Sequence, residues 1–402
     1  MKKLYNTMKK RGNGTKDAVS RYSKLKEEID KHPSNTGYFE LNTKEVDGSI
    51  SEFNFVDLFA GCGGLSQGLK EAGFKEIFSI EIDKDACNTL RKNFPSTYVF
   101  EGQIEKVTEA EIDKVVNGRT VHLVAGGPPC QGFSVAGLRN PHDPRNQLFK
   151  EFVRVVKHLK PVFVVLENVP GILTMQCGAV YKEIIRQFEE LGYKMNVRIL
   201  EAATYGAPQL RTRAVFIGNR VGLPNPYPKG IFSRETYKSI KSAIDDLKDV
   251  PRDPKINHEW TWHKPDFEER IAKVKYGDSL YPTFRDAYKR QWPDVPSMTA
   301  KENHGGTHIH YEKNRVLSAR ELARLQTFPD SFFFTGTMKR AYWQVGNAVP
   351  CIMAKHIGLA VKEGLKKSKG ESETFNKYVK NNVQIKLSDF GKREQINSFV
   401  AS

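Results

Sequence analysis

The sequence predicts a doubly wound α/β fold, with a mostly parallel sheet and a smaller, loop-rich module. Three observations predict it. From Phe53 onward, apolar segments typical of strands alternate with segments of helical spacing. One segment, PVFVVLENV, is apolar along most of its length, as expected of a central strand covered on both faces. After Asn219 the alternation stops, and a proline-rich stretch that carries most of the tryptophans follows.

The predicted elements follow one another along the chain. Strands are short runs of β-branched and aromatic residues, and helices mostly stop at a glycine or before a proline. The strands are FNFVDLFAG, EIFSIEID, TYVFEG, TVHLVAGG, PVFVVLENV and segments near 194–200 and 214–218. The helices are SQGLKEAGF, KDACNTLRKNF, NQLFKEFVRVVKHLKP and segments at about 179–191, 317–328 and 348–367.

These patterns divide the chain into five parts. We expect the polar, lysine-rich N-terminal part to be an extension outside the core. In order, the parts are a basic extension (1–50), the sheet domain (51–220), the loop-rich module (221–315), helices that return to the sheet domain (316–367) and a polar tail (368–402).

Composition limits the function. The 402 residues carry a formal net charge of +16, which favours nucleic acid first and an anionic membrane second as a partner, although lysines also simply solvate a surface. The five cysteines form no CxxC pair, so we expect neither a disulfide framework nor a thiolate zinc site, and a reducing cytoplasm suits them. The longest apolar run, VFVVL, is too short to span a bilayer.

A glycine-rich turn, DLFAGCGGLSQG, follows the first strand and opens a helix. Gly61 and Gly63 permit a tight turn and a close ligand, while Ser66 occupies the place of the third glycine in the dinucleotide fingerprint. Glu81 ends the next strand, twenty residues after Gly61. At this spacing from a glycine-rich turn, a carboxylate can accept hydrogen bonds from ribose hydroxyls. The pattern indicates a nucleoside-containing ligand; the alternative is a structural turn beside a surface acid.

Cys130 follows two prolines at the end of a predicted strand, in GGPPCQGFS. Glu167 ends the most apolar strand, and carboxyl ends of parallel strands meet at one edge of a sheet. A thiolate beside a carboxyl that donates a proton or hydrogen bond suits covalent attack on an electron-poor ring. The alternative is that Cys130 is a small buried residue.

Gln209, Arg211 and Arg213 precede another strand, in GAPQLRTRAVFIG. Alternate residues of an extended segment point the same way, so both arginines can hold a phosphate, a carboxylate or a base edge. A solvated edge strand is the alternative.

In these motifs the chain resembles the DNA (cytosine-5) methyltransferases, which have the S-adenosylmethionine-dependent methyltransferase fold. The resemblance runs from about Phe53 to Leu365 in the order of the family. It rests on DLFAGCGG, the acid of IEID, GGPPCQGFS, DPRNQLF, LENVPG, PQLRTR, RELARLQTFP and QVGNAVP.

The resemblance implies a mechanism. Cys130 would add to C6 of cytosine, Glu167 would contact N3 and the exocyclic amine, and C5 would then accept the methyl group. Arg213 would contact the base, with Gln209 and Arg211 as supporting neighbours. The cytosine has to leave the duplex stack, because its C6 face is otherwise covered.

The resemblance also implies a site for S-adenosylmethionine. Phe59 and Ile82 would pack on the adenine, and Glu81 would hold the ribose. Gln103 stands where the family often has an acid, and its carbonyl can still accept a hydrogen bond. The implied contacts are Phe59, Gly61, Gly63, Gly64, Glu81, Ile82, Gln103, Ile104, Pro129, Leu148, Asn347 and Val349.

The resemblance implies a bacterial modification enzyme in the cytoplasm, associated with the nucleoid through double-stranded DNA. Residues 221–315 would recognise the target. We expect a monomer without a membrane partner. We also expect no metal, since HEWTWH and HGGTHIH lack nearby cysteines. A restriction endonuclease would be the functional partner. Three alternatives stay open: a transfer RNA methyltransferase of the same fold, a nicotinamide-dependent oxidoreductase and a non-catalytic DNA-binding protein.

Overall fold

The computed structural model describes residues 37–129, 147–281, 287–302 and 308–370, together with positions 27, 29, 35 and 283. Cys130 and most of the predicted extension and tail lie outside the described residues. The strands are β1 (Tyr38–Leu41), β2 (Asn54–Leu58), β3 (Lys75–Glu81), β4 (Tyr98–Glu101), β5 (Leu123–Gly126), β6 (Phe163–Asn168), β7 (Lys194–Glu201), β8 (Thr212–Asn219), β9 (Asn225–Pro228), β10 (Lys289–Arg290) and β11 (His308–Ile309).

The main sheet is mostly parallel, as the sequence predicts. Within the described residues it has seven strands in the order β4-β3-β2-β5-β6-β8-β7, and β8 runs antiparallel to its neighbours β6 and β7. Gly126 of β5 lies opposite Leu166 of β6, and Glu167 lies opposite Val215 of β8. This order brings the ends of β5 and β6 and the start of β8 to the same edge.

Helices cover both faces of the sheet. On β6, Val164 and Leu166 pack into one buried cluster with the helices Glu109–Val116, Gln147–Leu159 and Ala179–Glu190. Phe163 and Val165 pack into another cluster with the helices Gly64–Glu71 and Cys351–Ser368. β6 is apolar along most of its length because both of its faces are buried. The helices are α1 (Gly64–Glu71), α2 (Lys84–Asn93), α3 (Glu109–Val116), α4 (Gln147–Leu159), α5 (Ala179–Glu190), α6 (Lys241–Ile244), α7 (Pro265–Ala272), α8 (Ala319–Leu325), α9 (Met338–Asn347) and α10 (Cys351–Ser368).

One helix, α9, is absent from the sequence-based prediction. Its segment MKRAYWQVGN carries Met338, Ala341, Tyr342 and Val345 at helical spacing, but it ends in a glycine and an asparagine. Tertiary packing stabilises it: Ala341, Tyr342 and Val345 are buried in a third apolar cluster with residues of α2 and α8. This cluster connects the C-terminal part of the chain to the helix that follows β3.

The N-terminal extension, predicted over 1–50, does not lie wholly outside the core. β1 pairs in parallel with β9, and Phe39, Leu41 and Val46 are buried against the α1–α10 side of the sheet. The expectation for residues 38–46 was wrong because β1 has only four residues, and its two buried side chains are too few to mark a strand within a polar segment.

The loop-rich module, predicted over 221–315, also differs at its start. Tyr227 of β9 is buried in the core of the sheet domain, where its hydroxyl donates to Asn196 O at 2.7 Å. The other boundaries stay predictions. Among the described residues, no helix is both long and apolar enough to cross a membrane.

Candidate functional site

The glycine-rich turn lies at the carboxyl end of β2. Gly61 and Gly63 have φ angles of +55° and +92°, a region that favours glycine. A Cβ on Gly63 would lie 2.5 Å from the Phe94 ring, and a Cβ on Gly64 would lie 2.4 Å from Val349 O. A Cβ on Gly61 would meet no described atom within 4 Å. Gly63 and Gly64 therefore serve packing, and Gly61 faces open space.

Glu81 closes this turn from the end of β3. Its Oε2 accepts a hydrogen bond from Gly61 N at 2.7 Å, and its Oε1 accepts from Ile82 N and Asp83 N at 2.9 and 2.8 Å. Burial raises the pKa of the Glu81 carboxyl, and these three N–H donors oppose that rise. Oε2 keeps the capacity to accept another hydrogen bond, as from a ribose hydroxyl.

The apolar residues expected around an adenine have different environments. Ile82 is 64% exposed, which is unusual for a large apolar side chain directly after a buried strand. Phe59 and Leu148 are partly buried against the α3–α5 side of the core. Ile104 is buried in that core, and Gln103 next to it is exposed. Ile82, Phe59 and Leu148 therefore keep surface that a ligand can cover.

The C-terminal residues expected at the same site reach it through α9. Asn347 ends α9 and is exposed, and the Val349 backbone lies against Gly64. Pro129 is exposed beyond the end of β5. Because Gly64 has no side chain, the backbone after α9 can lie directly against the glycine-rich turn.

A second group of side chains lies at the ends of β5, β6 and β8. Arg213 Nε and Glu167 Oε1 form an ion pair at 2.5 Å, and both side chains are largely buried. A Cβ on Gly127 would lie 3.1 Å from Glu167 Oε2, so this carboxyl faces the end of β5. Asn168 Nδ2 donates to Pro128 O at 2.8 Å. Glu167, Arg213 and the residues just before Cys130 therefore meet at this edge. The expected meeting of Cys130 with Glu167 stays a prediction, because Cys130 lies outside the described residues.

Gln209 and Arg211 are buried behind this ion pair. Arg211 is 1% exposed, and its two Nη atoms donate to Ala300 O at 2.8 Å and Gly346 O at 3.0 Å. Gln209 Nε2 donates to Leu325 O at 2.8 Å. Both side chains donate to backbone carbonyls, so they connect the segment before β8 to the chain at positions 300, 325 and 346 instead of facing a base.

Sequence reasoning missed a buried polar cluster beneath the glycine-rich turn. Ser66 Oγ lies 2.8 Å from Asp57 Oδ2 and 2.6 Å from Glu76 Oε1. Ser79 Oγ also donates to Glu76 Oε1, at 2.6 Å. The serine in place of a fingerprint glycine is the signal that could have indicated it.

The histidines of HEWTWH and HGGTHIH that the structure describes have protein partners. His258 Nδ1 lies 2.9 Å from Ser318 Oγ, and His308 Nε2 lies 3.1 Å from Met298 O. His263 packs on the Phe267 ring, with 4.4 Å between ring centroids. His310 Nδ1 accepts a hydrogen bond from Glu312 N at 3.0 Å. Packing and hydrogen bonding of these loops account for all four described histidines.

Comparisons with known proteins agree with this geometry. The family described as C-5 cytosine-specific DNA methylase matches residues 53–363. The chain is 41% identical over 322 residues to the type II methyltransferase M1.HphI of Haemophilus parahaemolyticus, covering 76% of this chain and 86% of that protein. It is 35% identical over 363 residues to the type II methyltransferase M.DdeI of Desulfomicrobium norvegicum, covering 75% and 86%.

A solved structure shares the fold. It is a putative DNA modification methyltransferase encoded in an Escherichia coli prophage, with a TM-score of 0.66 and 28% identity, covering 78% of this chain and 99% of that one. The predicted methyltransferase fold is therefore confirmed. The chain belongs to the C-5 cytosine-specific DNA methylase family, and it is a DNA (cytosine-5-)-methyltransferase.

Proposed function

We propose that the enzyme transfers a methyl group from S-adenosylmethionine to C5 of cytosine at a specific sequence in duplex DNA, through a covalent cysteine adduct. The observation that carries this proposal is the Glu167–Arg213 ion pair against Gly127, three positions before Cys130. A carboxyl fixed by an arginine at this edge suits recognition of a pyrimidine ring.

The surface formed by the turn after β2 at Gly61 and the end of β3 at Glu81 and Ile82, here called the cradle, fits the cofactor. The open side of Gly61, the remaining acceptor capacity of Glu81 and the exposed Ile82 match a backbone-lined pocket, a ribose and an adenine. Phe59, Pro129, Leu148, Asn347 and Val349 are the further residues that we assign to it. Bound there, S-adenosylmethionine would supply an electrophilic methyl group.

In the proposed reaction, the Cys130 thiolate adds to C6 of the cytosine, forming a C–S bond and shifting an electron pair toward C5. For this step Glu167 is protonated: its Oε2 donates to N3 and takes the proton back at the end of the reaction, while Arg213 holds the carboxyl in place through Oε1. C5 takes the methyl group, which leaves S-adenosylhomocysteine. A base then removes the C5 proton, the electron pair of that C–H bond restores the C5–C6 double bond, and the C–S bond breaks to return the thiolate. The cytosine rotates out of the duplex beforehand, because stacking covers C6.

We further propose that the enzyme acts as a monomer in a restriction-modification system, with an endonuclease of the same target as its functional partner. The type II methyltransferases among its relatives support this setting. Protection of methylated plasmid from one endonuclease, together with a monomer mass in solution, is the expected outcome.

Bisulfite sequencing tests the substrate and the site together. DNA from cells that express the enzyme should carry protected cytosines at one sequence motif, and DNA from cells with Cys130→Ser should carry none. Total RNA from the same cells is the control. Protection confined to RNA would establish the transfer RNA alternative, and protected DNA in the Cys130→Ser cells would remove Cys130 from the mechanism.

A DNA duplex with 5-fluorocytosine at the identified target tests the covalent step. Fluorine cannot leave C5 as a proton does, so the adduct should persist and migrate as a protein–DNA conjugate in a denaturing gel. The conjugate should require S-adenosylmethionine and Cys130. An active preparation that forms no conjugate would contradict thiol addition.

A further inference from the structure

Arg340, on the helix α9 that ends at Asn347, contacts the turn that follows Glu81. Its Nε lies 2.9 Å from Asp85 Oδ2, and its Nη2 pairs with Asp83 Oδ2. One guanidinium thus holds two carboxylates at the N-terminus of α2. A planar fork suits this double contact in a way that a lysine ammonium does not.

Asp83 connects this arginine to the cradle by two further hydrogen bonds. Its backbone N–H donates to Glu81 Oε1 at 2.8 Å, and its side chain caps α2 by accepting from Ala86 N at 2.9 Å. Moving Asp83 would therefore move the donor that orients the Glu81 carboxyl. It would also move Ile82, which lies between the two acids.

Surrounding contacts fix the arginine and its partners. Arg340 lies over the Trp343 ring, 4.6 Å from its centroid. Thr335 Oγ1 donates to Asp85 O at 2.8 Å, and a Cβ on Gly336 would lie 2.8 Å from the Asp85 carboxyl carbon. Isolated surface ion pairs contribute little to stability, but here one guanidinium joins two carboxylates, and the residues just before α9 also contact Asp85.

The same helix also leads to the other side of the cradle. α9 ends at Asn347, and the Val349 backbone beyond it packs against Gly64. The position of α9 therefore sets both the Glu81–Asp83 turn and the Asn347–Val349 turn.

Building on the proposed cofactor site, we propose that Arg340 is a positioning residue for S-adenosylmethionine, which holds the Glu81–Asp83 turn in its ligand-binding geometry. It does not touch the ligand. Its loss should weaken the binding of S-adenosylmethionine and of S-adenosylhomocysteine by the same factor, because the effect arises at the adenosine, which both molecules share.

The test compares Arg340→Ala and Arg340→Lys with Arg324→Ala in the full-length protein. Arg324 is a matched control, because it also pairs with two aspartates, Asp246 at 2.6 Å and Asp330 at 2.7 Å. Calorimetry should give a dissociation constant for both cofactor forms that is raised about tenfold in Arg340→Ala and less in Arg340→Lys. DNA affinity by fluorescence anisotropy should stay within about twofold, and KM for the cofactor should rise while kcat is kept.

Arg324→Ala should leave cofactor affinity unchanged, even where it lowers the melting temperature as much as Arg340→Ala does. Equal cofactor affinity in wild type and both Arg340 variants overturns the inference, and so does an equal loss in Arg324→Ala. If Arg340→Ala does not fold, Arg340→Lys decides by the same criteria. Wild-type protein that binds no S-adenosylmethionine would instead overturn the proposed function.

Discussion

At the scale of single residues, Ser66 controls where protons lie beneath the glycine-rich turn. Its hydroxyl has one hydrogen but lies within hydrogen-bond distance of two carboxyls, those of Asp57 and Glu76. Both contacts are hydrogen bonds only if one carboxyl is protonated. Burial, followed by the nearby Glu76 charge, raises the pKa of Asp57 well above its ordinary value. We infer that protonated Asp57 donates to Ser66, which donates to Glu76.

Asp57→Asn tests this arrangement, because an amide copies a protonated carboxyl. The stability that the raised pKa of Asp57 contributes is complete below the unfolded pKa and is lost as the pH rises toward the folded one. Asn does not titrate, so the variant should gain stability relative to wild type as the pH goes from 5 to 8. Urea denaturation at both pH values measures it; Ser66→Ala, which removes the bridge, should lose about 1–3 kcal/mol at either pH. A variant whose relative stability falls with pH would contradict a protonated Asp57.

At the scale of elements, Asn35 covers part of one edge of the sheet. β7 ends the strand order, and Val197 lies within it. Val197 N donates to Asn35 Oδ1 at 3.1 Å, and Asn35 Nδ2 donates to Val197 O at 3.0 Å. One side chain thus pairs with the backbone as a neighbouring strand would, which protects an edge prone to association.

Asn35→Ala should leave both Val197 groups without these partners. The expected loss is about 1–3 kcal/mol of unfolding free energy, with greater aggregation on heating. Urea denaturation and light scattering measure the two effects. The matched control is Asn54→Ala, since the Asn54 amide donates to Thr120 O at 2.9 Å near the surface. If both variants lose the same stability, edge protection is not the role of Asn35.

At the scale of the whole molecule, positive charge is concentrated at the N-terminus. Residues 1–26 contain nine lysines and arginines and one acid, while the tail at 371–402 contains five basic and four acidic residues. Binding of basic residues to DNA phosphates releases counterions, so the logarithm of the association constant falls linearly with the logarithm of salt concentration.

Deleting residues 1–26 should weaken DNA binding at low salt and flatten its salt dependence by about 0.9 for each phosphate that the shortened protein no longer neutralises. The methylated motif should stay the same, because phosphate contacts carry no sequence information. Anisotropy titrations at several salt concentrations and bisulfite sequencing measure the two properties. Deletion of residues 371–402, which is nearly neutral, is the control. An unchanged slope after the N-terminal deletion would show that this charge does not contact DNA.

The sequence by itself determined the family, the α/β class and most helices and strands. These follow from short-range features: the apolar spacing that predicts the α5 segment at about 179–191, or the glycines of DLFAGCGG. Such features act between near neighbours along the chain, so they can be recognised without knowing how distant segments pack.

Only the tertiary structure decided which distant side chains meet. The order β5-β6-β8 brings Arg213 to 2.5 Å from Glu167, and the packing of α9 brings Arg340 to Asp85. It also decided that Phe39, in a short polar stretch, belongs to the core. Neither strand order nor helix packing has a local signature, because both depend on burying apolar surface across the whole domain.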